Sequence, residues 1–149
     1  MKIYLDLCVY NRPFDDQGQP RIAIETMGFI LLLEKAMNKE ITVVNSFALE
    51  YENSKSPLID RRDKIVDLLW ISSEYVRYSE RLESRATEIE GMTFMAMDAL
   101  HIACAETVKS DVFITCDDLL LRKGKANKDK CKVRIIGLME FISKEVFKI

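Results

Sequence analysis

Four short apolar runs set the limits of what this chain can fold into: "KIYL" (2–5), "ITVVN" (41–45), "DVFIT" (111–115) and "VRIIG" (133–137). None shows a sustained alternation of apolar and polar residues, so each suits a strand covered on both faces. Strands of that kind belong to parallel sheets, whose neighbouring strands need long crossover connections. The intervening segments supply them. "QPRIAIETMGFILLLEKAMNKE" (19–40) carries Ile22, Met27, Ile30, Leu31 and Leu33 at helical spacing. Ser46 is placed to N-cap a helix beginning "FALEYE", which "SKSP" breaks, and Pro57 can open the next, through about Leu69. "EYVRY" (74–78) reads as a further strand, and Ser79 opens "ERLESRATEIEG", a charged helix stopped by Gly91. "DALHIACAETVKS" (98–110) is helical in pattern, "DDLLLRKG" is a short helix closed by Gly124, and "LMEFISKEVF" ends the chain as an amphipathic helix. Strands alternating with helices imply an α/β/α three-layer sandwich around a central, mainly parallel sheet, one domain over 1–149.

Composition narrows the function. The chain holds 22 basic and 24 acidic residues, a net charge of −2, which excludes a broadly basic nucleic-acid coat. The charge is unevenly placed: residues 122–134, "RKGKANKDKCKVR", carry seven basic side chains and one acid. Such a run is usually a solvated loop. Its place just after Asp117 and Asp118 is what sets it apart from an ordinary solvated loop. No apolar run approaches the roughly 20 residues of a membrane span, and Asp6 arrives too early for a signal peptide, so the expected location is cytoplasmic. Cys8, Cys104, Cys116 and Cys131 form no CxxC pair, and the single His101 is too little for a usual zinc cluster. Reduced, packed thiols are expected, with Cys8 and Cys116 as neighbours in space.

The acids fall where a parallel sheet builds its sites, beyond the carboxyl ends of the strands. Asp6 ends the first run, Glu50 and Glu52 follow the second by one to two helical turns, Asp117 and Asp118 follow "DVFIT", and Asp98 opens the helix leading into it. Each has a plain structural use. Asp98 and Asp117 are good N-caps, Asp6 suits an Asx turn, Asp118 suits the first turn of a helix, and Glu50 or Glu52 can face solvent. Together, converging carboxylates repel unless a cation lies between them, and oxygen donors suit Mg²⁺ or Mn²⁺. Glu50 and Glu52 point about 200° apart on a helix, so only one can face such a cluster. Thr115 can hydrogen-bond an acid or satisfy nearby backbone. A lone His is more often structural than catalytic, and His101 is not taken as a general base.

"IYLDLCVYNRPFDD", "SFALEYE", "MDALHIACAE" and "VFITCDDLLL" together resemble the PIN domain over nearly the whole chain. This nuclease fold includes the ribonuclease toxins of toxin–antitoxin pairs. The resemblance implies a metal site of Asp6, Glu52, Asp98 and Asp117, with Glu50 as the alternate to Glu52. It implies Mg²⁺- or Mn²⁺-dependent endonuclease cleavage of RNA and, for the toxin branch, an antitoxin protein partner. It also implies a homodimer, for which the stripe Leu138, Phe141, Ile142 and Val146 is one interface, core packing being its other use. One departure stands out: the family places Thr or Ser after its first Asp, and here Leu7 stands there, without the hydroxyl that would orient the carboxylate. A non-catalytic PIN-like module that binds RNA or protein is the rival function. A dehalogenase-like phosphatase would need an Asp where Cys8 stands, and a receiver domain would need an acceptor Asp on a middle strand.

Overall fold

Five strands, β1 (Lys2–Leu5), β2 (Thr42–Ser46), β3 (Glu74–Val76), β4 (Val112–Thr115) and β5 (Arg134–Gly137), form one sheet in the computed structural model, which describes residues 1–149. Their order is β3-β2-β1-β4-β5 and every pair is parallel. The sheet is flanked by eight α-helices, the α/β architecture that the alternating pattern implies. The apolar runs are strands because both of their faces are covered. Ile3, Tyr4 and Leu5 of β1 and Phe113 and Ile114 of β4 have no solvent exposure.

The helices are α1 (Leu7–Asn11), α2 (Pro20–Met37), α3 (Phe47–Ser54), α4 (Ile59–Leu69), α5 (Glu80–Glu90), α6 (Ala96–Thr107), α7 (Asp118–Ala126) and α8 (Leu138–Phe141). Ser46 caps α3 by accepting from Leu49 N at 3.1 Å, and Ser79 caps α5 through Leu82 N, also at 3.1 Å. Both satisfy amide groups that a helix start would otherwise leave unpaired. Helix α6 buries Ala99, Ala103, Cys104 and Ala105, small side chains that let it sit close to its neighbours.

Three expectations change, and one segment with no predicted element gains structure. A short helix, α1, and a single 3₁₀ turn (Arg12–Phe14) follow β1 directly. Helix α6 starts at Ala96, so Asp98 lies inside its first turn and caps nothing; Met95 is the N-cap residue. Helix α7 continues past Gly124 to Ala126. That glycine is needed for proximity instead: a Cβ there would stand 2.9 Å from Ile135 Cβ on β5. The last helix is α only through Phe141 and then widens into a π turn, Ile142–Val146. In its stripe, Leu138, Phe141 and Ile142 are core residues, each 2% exposed or less.

Candidate metal centre

Asp6 leaves the carboxyl end of β1, the strand at the middle of the sheet, and its amide donates to Ile114 O on β4 at 2.9 Å. The residue is the N-cap of α1: Oδ1 accepts from Leu7 N at 2.8 Å. Oδ2 accepts from the Thr115 hydroxyl at 2.8 Å and from the Cys8 thiol at 3.4 Å. The hydroxyl missing at Leu7 is therefore supplied from β4 by Thr115, while the Leu7 side chain is buried in the core. Thr115 Oγ1 also accepts from Asp117 N at 3.0 Å, so both uses open to it in the sequence are realised. Burial raises the Asp6 carboxyl above its ordinary value. His101 and the Thr115 hydrogen bond oppose the rise, and Glu52 adds to it.

Glu52 projects from α3 towards Asp6. One ligand atom from each of Asp6, Glu52 and His101 lies within 4.8 Å of the others. Glu50 points elsewhere and accepts from Tyr75 Oη at 2.5 Å. The choice between the two glutamates is thus made by the capped start of α3, which fixes the rotation of the helix. His101 is fully buried and its Nε2 meets Glu52 Oε1 at 2.8 Å. The sequence expectation of a structural histidine did not name its carboxylate partner. The available signal was its place three residues after Asp98, on the same face of the helix.

Asp98 is half-buried, and its carboxyl is pushed up to about 6. Burial contributes most, then the neighbouring carboxylates Asp6, Asp117 and Glu52, with His101 opposing. That three acids from β1, α3 and the β4–α7 junction act on it marks a shared field at one sheet edge. Asp98 and Asp117 do not belong to the tight group of three. Asp117 is the N-cap of α7, its Oδ1 accepting from Leu119 N at 2.9 Å and Leu120 N at 3.2 Å, which leaves Oδ2 free of protein hydrogen bonds. Capping and ligation are compatible on one carboxylate. Asp118 turns away and is held by Arg21 at 2.7 and 2.8 Å, an exposed bidentate pair that lowers its pKa; Arg21 also reaches Cys116 O at 3.1 Å. Cys116 N donates to Cys8 Sγ at 3.3 Å, so the two thiol residues are neighbours, as the sequence suggests.

The basic run divides in space: Arg122, early in α7, acts on Asp118, while the later lysines stand elsewhere. Asp117 follows the end of β4, but β5 runs parallel to β4 and begins at Arg134, opposite Val112. Helix α7 must therefore return along the sheet, about 14 Å over nine residues at 1.5 Å each. It delivers Lys128, Lys130 and Lys132 to the amino-terminal edge of the strands, away from the acids.

The donor set fits a hard divalent cation: carboxylate oxygens predominate, two of them with open positions, and their mutual repulsion calls for positive charge. Neither a family model nor a curated protein matches the chain by sequence. Solved structures are similar in fold. The structure of VapBC2 from Rickettsia felis, bound to a DNA fragment from their promoter, matches with a TM-score of 0.57 at 18% identity, covering 92% of this chain and 98% of that one. FitAcB from Neisseria gonorrhoeae matches with a TM-score of 0.56 at 14% identity and the same coverage. In its five-stranded parallel sheet and its flanking helices, the chain has the PIN-type fold.

Proposed function

We propose that this chain is a Mg²⁺- or Mn²⁺-dependent endoribonuclease of PIN type, acting as the toxin of a toxin–antitoxin pair. The observation that carries the reading is the meeting of Asp6 and Glu52, 46 positions apart in the sequence, beside a half-buried Asp98 whose field they share. Two structural neighbours that are toxin–antitoxin complexes support the toxin role and an antitoxin partner in the cytoplasm.

Asp6, Glu52, Asp98 and Asp117 would hold the cation. When bound, it supplies the positive charge that a phosphodiester needs to enter an acidic site and makes a nearby water more acidic. The chain's own contribution is position. Leu7 N holds one Asp6 oxygen, and Thr115 and Cys8 hold the other, which fixes the carboxylate from two sides. Arg21 ties the β4–α7 junction through Cys116 O and Asp118, which steadies Asp117 between them.

The test is incubation of a pool of single-stranded RNAs with the protein in Mn²⁺ or in EDTA, alongside Asp6→Asn and Asp117→Asn. Cleavage in Mn²⁺ that both substitutions abolish is the expected result. Cleavage that persists in both variants overturns the reading. No cleavage by a wild type that demonstrably binds Mn²⁺ points to the non-catalytic module instead.

A further inference from the structure

Behind Glu52 lies a chain of buried polar side chains with no role yet in the chemistry. His101 Nε2 meets Glu52 Oε1 at 2.8 Å, His101 Nδ1 meets Tyr4 Oη at 2.7 Å, and Tyr4 Oη meets Ser46 Oγ at 2.7 Å. His101, Ser46 and Tyr4 have no solvent exposure. We infer that His101, held by Tyr4 and Ser46, is a positioning residue that fixes the Glu52 carboxylate for cation binding. The inference rests on the metal-dependent reading above.

The argument begins with Glu52. It sits on a short helix, its side chain is 38% exposed, and its one protein hydrogen bond is the one to His101. Without that bond its three side-chain torsions are free to leave the cluster. A carboxylate oxygen accepts and never donates, so Nε2 must carry the hydrogen. In the neutral ring Nδ1 is then the acceptor, and the Tyr4 hydroxyl is its donor. Tyr4 Oη in turn accepts from Ser46. One donor–acceptor order runs through the whole chain, and it presents N–H to Glu52.

The anchors are rigid. Tyr4 belongs to the central strand, and its ring stacks on Phe113 with centroids 5.4 Å apart and planes 11° apart. Ser46 is the N-cap of the helix that carries Glu52, so one hydroxyl sets the start of α3 and also closes the chain. Both ring nitrogens of His101 are already engaged, so the ring supports a ligand in preference to being one.

The test is Mn²⁺ titration of the full chain by calorimetry, without RNA, for wild type, His101→Leu, His101→Gln, Tyr4→Phe and the double variant Tyr4→Phe/His101→Gln. Circular dichroism confirms folding of each. His101→Leu should weaken Mn²⁺ binding by about tenfold or more, the range expected on losing a partner of a metal ligand. His101→Gln retains an N–H near the Nε2 position and should recover most of that loss. Tyr4→Phe should weaken binding in the wild-type background and add nothing in the His101→Gln background, because the tyrosine acts through the imidazole. Should His101→Leu not fold, Tyr4→Phe, which deletes one hydroxyl, decides. His101→Leu or, in its place, Tyr4→Phe binding as tightly as wild type overturns the inference and leaves the metal-centre reading standing. No Mn²⁺ binding by wild type overturns both. Pulsed EPR of the Mn²⁺ form should show no directly bound ¹⁴N; a directly coordinated nitrogen would make the ring a ligand and end the positioning role.

Discussion

Replacing Asp98 by asparagine should make the metal-free protein more stable while removing its response to metal. The carboxyl of Asp98 is held at about 6 against an ordinary 3.8. A gap of that size corresponds to about 3 kcal/mol of unfavourable interaction with the ionised form. Asp98 is only half-buried, so solvent screening reduces the figure to roughly 1 kcal/mol. The sign follows from the direction of the shift. Between about 6 and 3.8 the folded state takes up a proton that the unfolded state does not, so wild-type stability rises as pH falls through that window. Above 6 the folded protein carries the repulsion in full. In EDTA at pH 7.5, Asp98→Asn should therefore melt about 2–4 °C above wild type, the usual scale for 1 kcal/mol in a domain of this size. At pH 4 the advantage should vanish, because wild-type Asp98 is then itself protonated. Millimolar Mn²⁺ should raise the wild-type melting temperature by mass action and leave the variant nearly unchanged. The assay is thermal unfolding followed by circular dichroism at both pH values. A variant that melts below wild type in EDTA at pH 7.5 refutes the account of a repelling cluster, and so does an advantage that persists undiminished at pH 4.

Three other outcomes are expected. Glu52→Gln should weaken Mn²⁺ binding at least about tenfold by calorimetry, whereas Glu50→Gln, whose partner is Tyr75, should leave it within about twofold. Gly124→Ala should destabilise the fold by about 1–2 kcal/mol in urea unfolding. Overpacking against the Ile135 Cβ, which no side-chain rotation can relieve, outweighs the gain of up to about 1 kcal/mol that alanine brings to a helix. Neutralising Lys128, Lys130 and Lys132 together should change RNA cleavage by less than about threefold at 0.1 M salt, since α7, about 14 Å long, comes between them and Asp117 and screening acts over about 10 Å. A loss of tenfold or more would place RNA at the amino-terminal edge of the sheet.

The sheet was legible because its strands are buried on both faces. A run such as "VFIT" has no other good home, and Val112 to Thr115 are all buried. Asp6 and Asp117 could be placed because each ends such a run. Less could be read where length or rotation decides. "LCVYN" makes five helical residues, too few to show a period, so the pattern does not reveal α1. Asp98 looked like a cap because its carboxylate suits one, but Met95 takes the N-cap position without any side-chain hydrogen bond, and sequence preference has no purchase there. The split between Glu50 and Glu52 turns on the phase of one helix, and His101 on a partner 49 positions away. In the basic run, nearness along the chain is nearness in space only at its start: Arg122 acts on Asp118, and the crossover helix carries the later lysines away.

The central position of β1 has a consequence for how the protein comes into being. Asp6 is synthesised well before Thr115, which holds it from 109 positions further along the chain. At roughly 5–20 residues per second, a nascent chain waits about 5–20 seconds between making one and the other. Until β4 is available, β1 can pair only with β2, and Asp6 lacks the Thr115 hydroxyl and the Ile114 carbonyl. A chain stalled or cut before β4 therefore cannot display the assembled acids. The order of the strands makes synthesis of β4 a precondition for the site.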